Sequence, residues 1–151
     1  MASIKNDEGF EIKMTPGYRE SWLHYNIDFF YKGKPLFNPE IFKTGPKMKA
    51  DEFGRTTLLS LLEKAIECTI SGEKFRWDEW EDEVAISIEY YKSDGSAGDG
   101  YFIFEIFLSE WFFKGGEGNS NDNPVGLKLV IHERDDLKKF YSELRDGVMG
   151  A

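Results

Sequence analysis

The side chains able to do chemistry are few. Cys68 is the single cysteine and His24 and His132 the two histidines among 151 residues. A nucleophilic thiol needs a depressed pKa and a nearby base, and a zinc site needs thiolates or imidazoles at a recognisable spacing. Cys68 follows Ile66 on a predicted helix with no histidine close in sequence, so it reads as a small buried hydrophobe. His132 falls at a strand–helix junction and reads as a surface or capping residue, while His24 sits on the non-core parity of its strand. No metal and no cofactor is expected from this set.

Paired carboxylates are the remaining enzymatic option. Glu89 and Glu105 fall on the outward parity of two strands expected to pair, beside Tyr91, Tyr101 and Phe107, whose rings suit stacking on a sugar. A glycosidase needs two carboxyls at a defined separation across a cleft. An acidic protein also places carboxylates on its sheets by chance. This outward face therefore stands as the alternative reading, a small-ligand or carbohydrate-binding domain with hydrolysis left open. The leading expectation is not an enzyme.

The glycine-rich passages add no chemistry. Gly95-Ser96-Ala97-Gly98 lacks the Gly-x-Ser-x-Gly spacing of a nucleophile elbow, and neither it nor Gly115-Gly116-Glu117-Gly118 is followed by the Lys-Ser/Thr of a phosphate loop. Asp94 and Asp99, or Asn119, Asn121, Asp122 and Asn123, offer oxygen ligands without the ordered spacing of a calcium loop. Solvated turns are the simpler reading.

The elements that must position these residues show in the periodicity. Gly9 to Met14 alternates apolar with charged residues as a strand does, and Thr15-Pro16-Gly17 should end it. From Ser21 to Lys32, the residues Leu23, Tyr25, Ile27, Phe29 and Tyr31 share the buried parity. Residues 36 to 50 hold two of the five prolines and read as a loop with a short strand or turn near Leu36-Phe37. Leu58, Leu61, Leu62, Ala65 and Ile66 mark one helical face, with Asp51 or Thr56 to cap its start and Gly72 just past its end. Two strong strands follow, with Val84, Ile86, Ile88 and Tyr90 inward on one and Phe102, Phe104, Ile106 and Leu108 on the other. The residues between them, 93 to 100, read as a mobile hairpin loop. Val125, Leu127, Leu129 and Ile131 form the last strand, and Leu137, Phe140, Tyr141 and Leu144 a closing helix with Asp135 or Asp136 near its positive end.

This order predicts a single α+β domain over residues 1–151: a mainly antiparallel sheet of five to six strands with two helices, in the order β-β-α-β-β-β-α. A further strand around Phe75-Trp77 supplies the sixth. The chain is 40% hydrophobic and 16% aromatic, enough for a sizeable core. Nineteen lysines and arginines against 28 aspartates and glutamates leave a net charge of −9. That balance argues against a nucleic-acid binder or an anionic-membrane protein, both of which need a concentrated positive field. The N-terminus has no signal-peptide core, and no run approaches the ~20 apolar residues of a bilayer span. A cytoplasmic protein is the expectation.

The most informative feature is a surplus of large apolar groups. Trp22, Phe30, Tyr91, Tyr101, Ile103, Phe107 and Val130 carry the outward parity, where a solvent-facing sheet side would be more uniformly polar. Something covers part of that face: a helix, the 36–50 segment or another molecule, with cover by the chain itself the simpler case and a homodimer through that face a further one. Beside it, Trp77, Asp78, Glu79, Trp80, Glu81 and Asp82 interleave carboxylates with tryptophans. Aromatic anchors ringed by negative charge make a recognition surface for a basic protein partner, whose association should slow as salt rises.

The early strand opening Trp22-Leu23, the leucine helix Leu58–Leu62, the aromatic strand Phe75-Arg76-Trp77, the paired strands Val84–Tyr90 and Phe102-Ile103-Phe104-Glu105, and the helix after Ile131 together resemble the WapI-type immunity proteins of bacterial polymorphic toxin systems. The resemblance spans most of the chain on individually weak patterns, and the 36–50 insertion and the glycine-rich loops depart from it. It implies a small, non-catalytic cytoplasmic protein that binds and neutralises a cognate toxin. Many such toxins are basic nucleases, which the −9 charge suits. No functional residue is carried over from the family.

Overall fold

The computed structural model describes residues 1–19, 22–38, 40–41, 47–51, 57–78, 84–93, 100–116 and 125–150. Among them are nine strands and two α-helices. Strands β1 (Ala2–Lys5), β2 (Phe10–Arg19), β3 (Trp22–Tyr31), β4 (Lys34–Pro35) and β5 (Lys47–Asp51) precede helix α1 (Thr57–Glu67). Strands β6 (Lys74–Asp78), β7 (Val84–Tyr91), β8 (Tyr101–Leu108) and β9 (Val125–Ile131) lead into helix α2 (Arg134–Gly150). The α+β class and the antiparallel pairing are as the sequence predicts. The single sheet of five to six strands is corrected to two antiparallel sheets, one ordered β1-β2-β3-β4 with β5 also on β3, the other β6-β7-β8-β9. Both β4 and β5 fit on β3 because β4 takes Phe30 and Tyr31 while β5 takes Leu23 to Ile27.

Three local departures have physical causes. Strand β2 runs through Thr15-Pro16-Gly17 instead of ending there, with Pro16 opposite Tyr25. Its other neighbour, β1, pairs only as far as Met14, so Pro16 needs no ladder donor on that side. Asp51 belongs to β5 and Thr56 lies outside the described residues, so neither is seen capping α1. The loop at 94–99 and the oxygen-bearing positions 119 and 121–123 also lie outside the described residues. Gly100, at the foot of that loop, takes φ +102, and a Cβ there would collide with the Tyr91 carbonyl, so only glycine closes the hairpin at this point.

One core joins the layers. Ile12, Met14, Leu23, Tyr25 and Ile27 from the first sheet, Ile86, Ile88, Phe104 and Ile106 from the second, and Leu62, Phe140 and Leu144 from the helices are all essentially inaccessible. Burying each such side chain contributes about 1.5–3 kcal/mol, so the alternating strands and the helical faces are positioned chiefly by this burial. The predicted inward set on β3 is buried except at its end, where Tyr31 is 39% exposed and stacks on Phe10. Helix α2 ties the two sheets together. Phe140 meets Phe104 of β8 edge-on at 5.9 Å, and the Tyr18 hydroxyl of β2 donates to the Val148 carbonyl at 3.1 Å.

Helix α1 ends by a device the sequence did not show. Arg134, at the start of α2, donates to the carbonyls of Ile66 and Cys68 and lies over the rings of Tyr90 and Phe102 at 5.1 and 5.0 Å. Those are carbonyls the helix itself leaves unsatisfied. Gly72, at φ +87, turns the chain into β6 and does not cap the helix. No helix among the described residues is long and apolar enough to cross a membrane.

Candidate functional site

Trp77 faces the core. On β6 the charged residues Lys74, Arg76 and Asp78 alternate with Phe75 and Trp77, and period-two alternation sends the two sets to opposite sides. Trp77 is 5% exposed, meets Tyr25 edge-on at 6.1 Å, and donates through Nε1 to the Thr57 hydroxyl at 3.3 Å. Its assignment as an aromatic anchor of a partner surface is therefore corrected: the ring is structural. Asp78 of the same group is exposed but paired, its carboxylate 3.1 Å from Arg76. Glu79, Trp80, Glu81 and Asp82 lie outside the described residues.

The alternative face is assembled as a grid. Strand register sets four rows across the outer side of the second sheet: Tyr91–Tyr101, Lys74–Glu89–Ile103–Val130, Arg76–Ser87–Glu105–Lys128, and Asp78–Ala85–Phe107–Gly126. Both helices pack on the opposite side, through Trp77 and Phe104. Tyr91, Tyr101, Ile103, Phe107 and Val130 are half-buried, while Ala85 and Ser87 at the centre are covered. The side chain of Trp22 is not among those described. Phe30, on the first sheet, is half-buried beneath the Lys13 ammonium at 4.7 Å.

Charge on the grid is closely compensated. Lys74 lies 3.5 Å from Glu89 and Lys128 lies 3.8 Å from Glu105, each pair directly across adjacent strands. The Arg76 guanidinium sits 5.4 Å from the centre of the Phe107 ring, a cation–π contact. Tyr91 and Tyr101 stack at 5.5 Å and 23°, and His132 extends that row with its ring 6.5 Å from Tyr101. The Tyr91 hydroxyl donates to Glu89, and this bond, with Lys74 alongside, holds the Glu89 carboxyl below the usual carboxylate range.

These facts decide what the face can do chemically. Glu89 and Glu105 are diagonal neighbours, since Glu89 faces Ile103 and Glu105 faces Ser87. A hydrolytic pair needs one carboxyl kept protonated and the other ionised. Glu89 is held in its ionised form, and each carboxylate has a lysine partner. The grid offers stacked rings and cross-strand ion pairs as contact surface.

Sequence reasoning brought Glu89, Tyr91, Tyr101, Glu105 and Phe107 to one face and missed Lys74, Arg76, Lys128 and His132. The signal was present: Lys128 shares parity with Val130, and Lys74, Arg76 and Asp78 alternate with Phe75 and Trp77. Cys68 is buried, its thiol within 3.4 Å of a Glu73 carboxylate oxygen, and burial pushes its pKa up, so it is no activated nucleophile. Among the described residues no three histidine, cysteine, aspartate or glutamate side chains converge as metal ligands. No protein-family model, no curated protein and no solved structure matches this chain.

Proposed function

We propose that the chain is a non-catalytic protein-binding domain of the immunity type, which neutralises a basic toxin in the cytoplasm by occluding it with the outer face of the second sheet. The observation that carries this reading is the set of half-buried residues Tyr91, Tyr101, Ile103, Phe107 and Val130 on the side of the sheet away from both helices. Grouped apolar surface rimmed by charge is the usual mark of a docking site. The −9 charge steers a basic partner toward the protein, while the compensated grid supplies short-range specificity. Asp78 sits at one corner of this face and belongs to the same surface.

The reading is tested by co-expressing the chain with the polypeptide encoded beside it in the native genome. Growth should be restored when that neighbour is toxic, and the two should co-purify as a complex that loosens at high salt. A toxic neighbour whose effect the chain leaves untouched contradicts the proposal.

A second reading rests on the stacked Tyr91–Tyr101 pair beside Glu89, which offers a platform for a sugar ring. A glycan panel read by thermal shift separates the two, because a specific ligand raises the melting temperature by mass action.

A further inference from the structure

Strand β6 is an outer strand of the second sheet, and among the described residues it pairs along one edge only, with β7. Tyr90 exchanges main-chain hydrogen bonds with Gly72 and Glu73, its N–H donating to Glu73 and its carbonyl accepting from Gly72. Antiparallel ladders alternate, so Ile88 and Ile86 then face Phe75 and Trp77 in the same way. The peptide groups of Lys74, Arg76 and Asp78 are left pointing away from β7. Along that open edge runs a groove of about 540 Å³ between β6 and α1, lined by Thr57, Ser60, Leu61 and Lys64 on the helix side and by Phe75 on the strand side.

The edge is electrostatically polar. Thr57 lies beside Trp77, so α1 runs antiparallel to β6 and brings Lys64 to the Lys74 end. One end of the edge carries Lys64 and Lys74, with Lys74 also 3.5 Å from Glu89 on β7, and the other end carries Asp78, which Arg76 of the same chain pairs at 3.1 Å. A sequence of this kind complements itself when turned around. In an antiparallel pairing centred on Arg76, Lys74 of one copy stands opposite Asp78 of the other, twice, and Arg76 meets Arg76 with each guanidinium already held by its own Asp78 at 3.1 Å. The residues that fall opposite one another are those whose peptide groups point outward, so each such pair exchanges two main-chain hydrogen bonds. The half-buried Phe75 rings of the two copies are covered in the joined grooves.

We infer that β6 is the seam of a two-fold dimer, in which a second copy of this chain adds its β6 and converts two four-stranded sheets into one continuous sheet. This goes beyond the toxin-binding reading, because it uses the edge of the sheet and not its face. Two copies each carrying −9 repel at long range, so the pairing acts at contact distance and shows at physiological salt, where the Debye length is about 8 Å.

Sedimentation velocity of the full chain, from about 1 to about 500 µM, reads the association directly, since an interface of this small class is weak. The expected result is a shift from 17.5 kDa to twice that mass within the range. Lys74→Asp and Asp78→Lys each turn two attractive cross-strand pairs into repulsive ones and should weaken self-association about tenfold. An equimolar mixture of the two variants restores both pairs across the seam and should recover dimers of mixed composition. Circular dichroism of each variant confirms folding, and the mixture isolates the seam from any effect inside one chain. A chain that stays at 17.5 kDa throughout overturns the proposal. So does a dimer that either variant leaves intact or that mixing fails to restore.

Discussion

The Trp77 indole N–H donates to the Thr57 hydroxyl at 3.3 Å, joining the outer strand of the second sheet to the first turn of α1. The bond fixes the role of the ring: it fills the core beside Tyr25 and closes the strand–helix seam. Trp77→Ala should destabilise the fold by about 3–5 kcal/mol through the cavity it leaves. Trp77→Phe keeps most of the volume and should cost about 1–2 kcal/mol, largely from the lost indole N–H bond. Chemical unfolding measures both. A Trp77→Ala variant of unchanged stability would place the ring outside the core.

Arg134 is the clasp between the helices. Its guanidinium satisfies the Ile66 and Cys68 carbonyls at the end of α1 and covers two core-edge rings. Arg134→Met retains the stem and removes the donors, and it should cost about 2 kcal/mol, because hydrogen bonds to a charged group are worth roughly 1.5–3 kcal/mol. Arg134→Lys should recover little, since a point charge cannot reach both carbonyls in the fork geometry of arginine. Hydrogen exchange should show the last turn of α1 opening first in either variant.

Ser87 is buried at the centre of the outer face with its hydroxyl unpartnered. A buried polar group without a partner carries its desolvation cost, so Ser87→Ala should stabilise the protein by about 1 kcal/mol. The melting temperature checks this. A fall in stability would mean that the hydroxyl makes a bond in solution.

Glu89 gives the fold an acid-sensitive element. Its folded pKa lies below the unfolded value, held there by the Tyr91 hydroxyl and by Lys74. The stability it contributes is present above the ordinary carboxylate range and is lost as pH falls through the folded pKa, so the loss begins below about pH 5. Glu89→Gln should flatten that acid limb of a stability-against-pH series while leaving the other carboxylates to titrate. Superimposable limbs for the two proteins would show that the Tyr91–Glu89 bond does not persist in solution.

Much of this was legible in the sequence where periodicity alone decides. Strands β7, β8 and β9 and both helices follow from alternation and from helical faces, because burial enforces one parity or one stripe. The elements that escaped lack such a signal. Strand β5 reads Lys-Met-Lys-Ala-Asp and exists because β3 offers it an edge, and β1 is a four-residue strand across a tight turn from β2. The division into two sheets rests on non-local pairing, which no local pattern encodes. The grid residues Glu89, Tyr91, Tyr101, Glu105 and Phe107 were found because parity fixes their side of the sheet. Trp77 was misplaced for the opposite reason: the run of neighbouring carboxylates outweighed its own alternation with Lys74, Arg76 and Asp78.

The central claim is that the outer face of the second sheet is the surface that engages a protein partner. Isothermal titration of the chain with the purified polypeptide encoded beside it, repeated with Ile103→Glu, tests this most directly. Ile103 is half-buried on that face and lies across from Glu89, so a new carboxylate there should weaken binding about a hundredfold or more, with circular dichroism confirming that the variant is folded at the titration temperature. Equal affinity for the two proteins would contradict the account.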